Sequence, residues 1–385
     1  MKNGENAILK WGIIGGGLMG REFASALGRW MALTDANLPP SQLVAVCDLN
    51  PAAREWFRRV PTVSQITDSA EKLLQNPDVD AVYVALPHNL HREFYLQTLR
   101  AGKDLLAEKP FGIDLEAARE VRDEAQKLGR FVRCSSEIPY FPGAQELFRL
   151  ASKNIETMGR ILEIRAGFHH SSDLDETKPA NWKRQNQFCG ENGVLNDLGM
   201  HVAHVPLRLG WKPKRVYAQL QKGPSTRPDG RGGTAICDTW DNALLHCDLE
   251  IGGDFVPMRW ETKRLAPTET NTWFLEILGT RGGVKFSTKT PKTLQIFAVQ
   301  NGVQSWNYVD LGHKSAFETV TGGIFEFGFP DSILQMLGAF AAERAGVLGE
   351  KFGMVTPDEA VQSHEIWAAA RRSFEEKRAV EIGAD

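Results

Sequence analysis

The sequence has 385 residues, 42% hydrophobic and 24% charged, the make-up of a globular chain and not of a disordered or fibrous one. Its 45 basic and 48 acidic side chains leave a net charge of −3, with no basic block of the kind that binds nucleic acid. No run approaches the ~18 apolar residues of a membrane-spanning helix, and Met1–Lys10 lacks the basic-then-apolar order of a secretory signal, so a cytoplasmic protein of about two domains is expected.

The first part alternates short apolar runs with helical periodicity: Ile8–Ile14, a helix over Leu18–Trp30, Leu43–Cys47, Ala81–Leu86, a helix over Asn89–Ala101, Asp104–Ala107, a helix over Leu115–Leu128, and Phe131–Cys134. This succession predicts a parallel sheet with helices on both faces. Met31–Gln42, with Pro39-Pro40, reads as an inserted loop. After Ser135 the texture changes to longer strand-like segments: Arg160–Phe168, Arg215–Leu220, Ala243–Ile251, Trp273–Leu278 and Thr293–Val299. They predict a large, mainly antiparallel open sheet in an α+β domain, and the boundary is placed between domains 1–135 and 136–385. Gly223–Gly233 reads as a surface loop. Helices are expected near Ser332–Ala345 and after Thr356, where Pro357 suits the first helical position and Glu359 completes a capping box.

Gly15-Gly16-Gly17-Leu18-Met19-Gly20 satisfies GxGxxG between a predicted strand and a predicted helix. Gly15 suits the tight turn, Gly17 the close approach of backbone to pyrophosphate, and Gly20 the packing of helix on strand. Asp48 closes the second strand, where a carboxylate accepts hydrogen bonds from the adenosine ribose; a 2′-phosphate would meet like charge there, so NAD is expected over NADP. Arg54 lies a turn into the next helix and could swing toward a phosphate.

Further motifs join this fingerprint: Ala85-Leu86-Pro87-His88-Asn89-Leu90-His91, Glu108-Lys109-Pro110, and Asp197-Leu198-Gly199-Met200-His201. With them the chain resembles the Gfo/Idh/MocA family over nearly its whole length. The resemblance implies a Rossmann domain followed by a mixed domain on a large open sheet, and NAD(P)-dependent hydride transfer to or from a hydroxyl of a sugar, sugar derivative or cyclitol. It implies Lys109 as the catalytic lysine, Asp197 and His201 as its substrate-facing partners, and Glu108 with Leu86, Pro87 and His88 lining the nicotinamide and its ribose. One departure is the stretch Gly190-Glu191-Asn192-Gly193, where the family often has consecutive glycines before the DxGxH helix.

The residue types suit that chemistry. Oxidising an alcohol removes a proton from oxygen, a task for His201 with its ordinary pKa of roughly 6.5, while Lys109 stabilises the developing alkoxide. If Val194–Leu209 is helical, Asp197, His201, His204 and Arg208 form a polar stripe beside an apolar one of Val194, Leu198, Val202, Val205 and Leu209, with a kink at Pro206. Trp182 precedes this helix and either contacts substrate or packs as an aromatic. His88 and His91 either act at the site or merely cap and solvate a helix start. Metal-ligand types occur at Asp197, His201, His204, His169 and His170, but no metal is expected, since the family site accounts for the Asp-x-x-x-His spacing. The five cysteines, without a CxxC pair, read as buried or free thiols.

Two competing functions stay open: NAD-dependent glycoside cleavage through transient oxidation, and a redox-inactive dinucleotide-binding regulator. Several segments of the second sheet carry apolar residues on alternate positions, and the predicted helices are too few to cover both faces, so an uncovered apolar face is expected to be buried in a homo-dimer or homo-tetramer.

Overall fold

The computed structural model describes residues 8–312 and 315–383. Residues 1–7, which carry most of the stretch examined for a signal, lie outside the described residues. The chain forms two compact units, the first from Met1–Gly112, Glu116–Tyr140 and Ser315–Asp358, the second from Ile113–Leu115, Phe141–Lys314 and Glu359–Asp385. This differs from a single cut after residue 135: the first unit runs on to Tyr140 and regains a late segment.

In the first unit six strands, β1 (Leu9–Ile14), β2 (Ser41–Cys47), β3 (Gln65–Thr67), β4 (Ala81–Val84), β5 (Asp104–Ala107) and β6 (Val132–Cys134), form a parallel sheet in the order 3-2-1-4-5-6. The central strands are buried almost throughout, as their continuous apolar runs require. Helices α1 (Leu18–Gly28), α2 (Pro51–Phe57), α3 (Ala70–Leu74), α4 (His91–Arg100) and α5 (Leu115–Leu128) connect them. The late segment returns because β1 and α1 leave an apolar surface to cover: Trp11 packs on Phe23 and on Phe340, with ring centroids 5.1 and 4.7 Å away.

The second unit opens with α6 (Pro142–Lys153), and its short helix α7 (Asn186–Cys189) leads into α8 (Val194–Arg208). Its sheet begins with β7 (Ile161–His169) and β8 (Arg215–Gln221); the hairpin β9 (Thr226–Pro228) and β10 (Thr234–Ile236) stands apart. The sheet continues through β11 (Asn242–Ile251), β12 (Asp254–Lys263), β13 (Thr272–Gly279), β14 (Gly282–Ser287), β15 (Thr293–Gln300), β16 (Val303–Asp310) and β17 (Val380–Glu381), in the order 16-15-14-13-7-12-11-8-17. Every pairing is antiparallel except β7 with β12. Phe329–Ala345 forms α9, in the first unit, and Pro357–Glu376 forms α10, which begins at the expected proline. The stretch expected to be a surface loop holds the β9–β10 hairpin, and Arg227 in it is buried, donating to the Asp173 and Asp175 carbonyls at 2.5 and 2.6 Å.

One face of this sheet carries α8, with Trp260 against Trp367 of α10. The other face alternates outward, but its centre is charged where an apolar surface was expected: Arg165 and Arg259 stand opposite each other, ringed by Glu163, Glu276 and Glu261. Exposed aromatics, Tyr217, Phe255, Trp306 and Tyr308, lie toward its margins. All five cysteines are buried and no disulfide forms. No helix among the described residues is long and apolar enough to cross a membrane.

Candidate active site

The glycine loop joins β1 to α1, and Gly15, Gly16 and Gly20 each answer to a different neighbour. Gly15 has φ +103°, and a Cβ there would stand 2.2 Å from the Ala85 carbonyl oxygen; one on Gly20 would stand 2.1 Å from that of Gly15. A Cβ on Gly16 would meet the Phe57 ring at 2.8 Å, a role not read from the sequence. At Gly17 nothing lies within 4 Å, so the backbone is open where a pyrophosphate would lie. The first turn of α1 has no acidic side chain, Leu18 is exposed and Met19 half-buried, leaving the free N–H groups and positive dipole of the helix accessible to an anion. Asp48 is held by two backbone donors, Gly16 N at 2.6 Å to Oδ2 and Asn50 N at 2.7 Å to Oδ1. Arg54 donates to the carbonyls of Asp48 (2.7 Å) and Leu49 (3.0 Å), which pins its guanidinium to the loop instead of leaving it to swing.

Beyond β4, Leu86 and Pro87 are half-buried and His88 is buried at the start of a short 3₁₀ turn. His91 is buried too: its ring faces the Pro110 and Leu86 carbonyl oxygens, so it neither solvates nor simply caps the helix. Glu108 is buried, accepting from Tyr83 Oη at 2.5 Å, Ser135 Oγ at 2.8 Å and Lys109 N at 3.1 Å, while Tyr95 Oη donates to its carbonyl at 2.6 Å. Lys109 is half-buried, joined to Pro110 by a cis peptide bond. Glu137, just past β6, went unnoticed in the sequence. Burial, then the nearby Glu108 carboxylate, pushes its carboxyl up to about 7 against the pull of Lys109.

In the second unit α8 is buried along its length from Val194 to Leu207, so the polar stripe expected on it faces protein on every side. Its sheet side rests on β7, β11, β12 and β13, and Gly199 leaves room for Trp367, whose ring a Cβ would meet at 2.5 Å. Pro206 lies in the last turn, and the helix stops two residues later at Arg208, which grips Glu359 through two hydrogen bonds of 2.6 and 2.8 Å. The Asp197 carboxylate takes Lys183 Nζ at 2.7 Å on one oxygen and Arg264 Nε at 3.2 Å on the other. His201, one turn on, is buried with its ring edge-on to Phe168; its backbone carbonyl accepts the Trp273 indole N–H at 2.8 Å. Trp182 opens the 3₁₀ turn Trp182–Arg184, with the Lys183 ammonium 5.7 Å from its ring centre.

Behind Asp197 runs a chain of buried charges that the sequence did not disclose. Arg264 reaches Asp241 at 3.6 Å, and Asp241 and Asp173 both pair with Arg184. The departure from consecutive glycines keeps glycine where contacts demand it: a Cβ on Gly190 would stand 2.6 Å from the Ile113 carbonyl oxygen, and one on Gly193 2.6 Å from Trp240 N. Asn196 Nδ2 donates to that same Ile113 carbonyl at 2.8 Å. Among the described residues no three His, Cys, Asp or Glu side chains converge as a metal-ligand group.

Residues 9–136 match the family described as "Oxidoreductase family, NAD-binding Rossmann fold". These residues belong to the NAD-binding Rossmann domain of the Gfo/Idh/MocA oxidoreductases. The chain is similar to the trans-1,2-dihydrobenzene-1,2-diol dehydrogenase of Sus scrofa, at 29% identity over 54% of its length. That match spans 59% of the relative's length. The levoglucosan dehydrogenase of Pseudarthrobacter phenanthrenivorans is 26% identical over 75% of this chain and 76% of its own. Among solved structures, a levoglucosan dehydrogenase in complex with NADH and L-sorbose superposes with a TM-score of 0.84 at 22% identity, covering 97% of this chain and 99% of that one, a likeness of fold.

Proposed function

We propose that the protein is an NAD-dependent dehydrogenase or reductase acting on a hydroxyl or carbonyl of a sugar, sugar derivative, cyclitol or related diol. Gly15, Gly17, Leu18, Met19, Gly20 and Asp48 would hold the dinucleotide, with Leu86, Pro87, His88, Glu108 and Lys109 toward its nicotinamide end. The fit is supported by the open backbone at Gly17 and by a first turn of α1 without acid. When bound, NAD supplies the hydride acceptor. His201 takes the hydroxyl proton, Lys109 stabilises the alkoxide, and Asp197, clasped by Lys183 and Arg264, orients the substrate beside Trp182 and keeps a fixed charge next to the imidazole.

The observation that carries this reading is the glycine loop: its backbone is open at Gly17, and the helix it leads into has no acidic side chain in its first turn, as a pyrophosphate requires. The test is nicotinamide absorbance with NAD and NADP against inositols, aldoses, anhydrosugars, sugar acids, ketosugars and cyclic diols. Steady NADH formation with one of these is expected; near-normal turnover in Lys109→Ala would sink the assignment.

A homo-oligomer formed through the open sheet face is part of the proposal. Exposed aromatics around half-buried ion pairs suit a subunit interface better than bulk solvent. A monomer in sedimentation at micromolar concentration would contradict it.

A further inference from the structure

Among the buried groups that the proposed reaction leaves unused, His91 is held at both ring nitrogens. Its Nδ1 stands 2.8 Å from the Pro110 carbonyl oxygen and its Nε2 2.9 Å from the Leu86 carbonyl oxygen, with no part of the residue exposed. Leu86 opens the turn assigned to the nicotinamide, and Pro110 directly follows Lys109. A carbonyl oxygen can only accept. Each ring nitrogen therefore needs a proton to make its contact attractive, and a neutral ring would set a lone pair against one of the two oxygens.

We propose that His91 is a positioning residue, a doubly protonated imidazolium that straps the cofactor turn to the lysine loop. The proposal rests on the reading of Lys109 as the catalytic lysine. Burial of the ring, the largest influence, holds its pKa below the ordinary histidine value, and the Lys109 ammonium adds to this; the two carbonyls and the Glu108 carboxylate act the other way, and it is the geometry, with an acceptor at each ring nitrogen, that argues for the charged form. Two rings pack beside it, His88 at 5.4 Å and Tyr95 at 4.9 Å between centroids, and the Tyr95 hydroxyl is directed to the Glu108 carbonyl. Hydrogen bonds from an ionised donor are roughly twice as strong as neutral ones, and here there are two. The strap touches neither substrate nor reacting atoms. It sets the separation of two loops whose alignment decides how a reacting hydroxyl meets nicotinamide and lysine together.

Ring-nitrogen NMR of the full-length protein labelled with ¹⁵N-histidine reads the protonation directly, without substrate, the His91 signals being assigned by their loss in His91→Phe. Two protonated nitrogens at neutral pH are expected, and one unprotonated nitrogen would overturn the charged strap. His91→Phe keeps the ring's bulk and loses both donors, whereas His91→Gln can still donate to one carbonyl. Since misplacement of about 1 Å can cost ~10²-fold, turnover should fall at least about tenfold in His91→Phe and less in His91→Gln, with NAD affinity changed less than about threefold. Parallel loss of affinity and turnover, or full turnover in either folded variant, would overturn the positioning role; should His91→Phe not fold, His91→Gln provides the same split. If Lys109→Ala stays active while His91 carries two protons, the reading of Lys109 fails and the strap stands.

Discussion

Lys109 and Asp197 both sit among buried neighbours, but the charges around them have opposite sign. Lys109 has carboxyls beside it: Glu108, hydrogen-bonded by Tyr83 and Ser135, and Glu137. Asp197 has cations: Lys183 at its exposed end and Arg264 at its buried end. The balance of burial and pairing then comes out differently. Glu137 is left titrating near neutral pH, about 7, because burial and a like charge outweigh the nearby lysine. Burial pushes the Arg264 guanidinium down, yet Asp197 and Asp241 raise it further, so it stays charged throughout. The first unit thus presents a cluster that can exchange a proton in the working range, and the second a rigid frame of fixed charge.

The largest test of this contrast is Lys109→Met. Loss of an acid–base or charge-stabilising group should lower turnover by ~10²- to 10⁴-fold. Because Lys109 also pulls Glu137 down, the variant should titrate Glu137 above its wild-type value, as carbon NMR of labelled glutamate would show. Next comes Arg264→Met, which strands Asp197 and Asp241 without their shared cation. Breaking a buried pair from one side costs about 3–5 kcal/mol, to be read from the urea midpoint, with partial recovery in Arg264→Lys. A loss near zero would mean that the frame is not held by charge.

Glu137→Gln probes the opposite cluster. The folded carboxyl is raised from 4.5 to about 7, so between those pH values the unfolded chain has already released a proton that the folded one keeps. Glu137 therefore lowers stability as pH rises from about 4.5 to 7, by up to roughly 3 kcal/mol at 1.36 kcal/mol per pKa unit. The glutamine variant should flatten that slope in thermal melts and leave stability below pH 4.5 nearly unchanged. An unaltered slope would show that Glu137 is not held protonated.

The glycine loop was legible because its spacing is imposed by local backbone geometry, and Lys109, Asp197 and His201 because short motifs mark them. Their partners were not, since nothing local announces them. Arg264 directly follows a strand, Asp254–Lys263, whose pattern Pro257 interrupts, and its bond to Asp197 spans 67 residues. Glu137 follows a three-residue strand, and only burial gives it its character. The return of Ser315–Asp358 to the first unit was equally hidden, because Ser332–Ala342 is buried all round and shows no single apolar face to indicate a partner. The open face was misjudged for a related reason: alternation fixes which residues point outward but not that Arg165, Arg259 and their glutamates would gather there.

The smallest effect concerns cofactor choice, and it sets Asp48, a carboxylate fixed by two backbone donors, against the lysine-clasped Asp197. With Oδ2 on Gly16 N and Oδ1 on Asn50 N, the Asp48 carboxylate cannot swing away from a 2′-phosphate, while it retains lone pairs for ribose hydroxyls. The nearest counter-charge, Arg54, is spent on the Asp48 and Leu49 carbonyls behind it. Asp48→Ser removes the like charge and leaves Arg54 where it is. The ratio of kcat/KM for NAD over NADP should fall about tenfold, equivalent to ~1.4 kcal/mol. Adding Arg54→Ala separates the two causes: if relief of repulsion dominates, the ratio holds at its new value, and if the guanidinium recruits the phosphate, it climbs back. A wild type that already favours NADP, or a ratio that Asp48→Ser does not move, would remove Asp48 from the discrimination altogether.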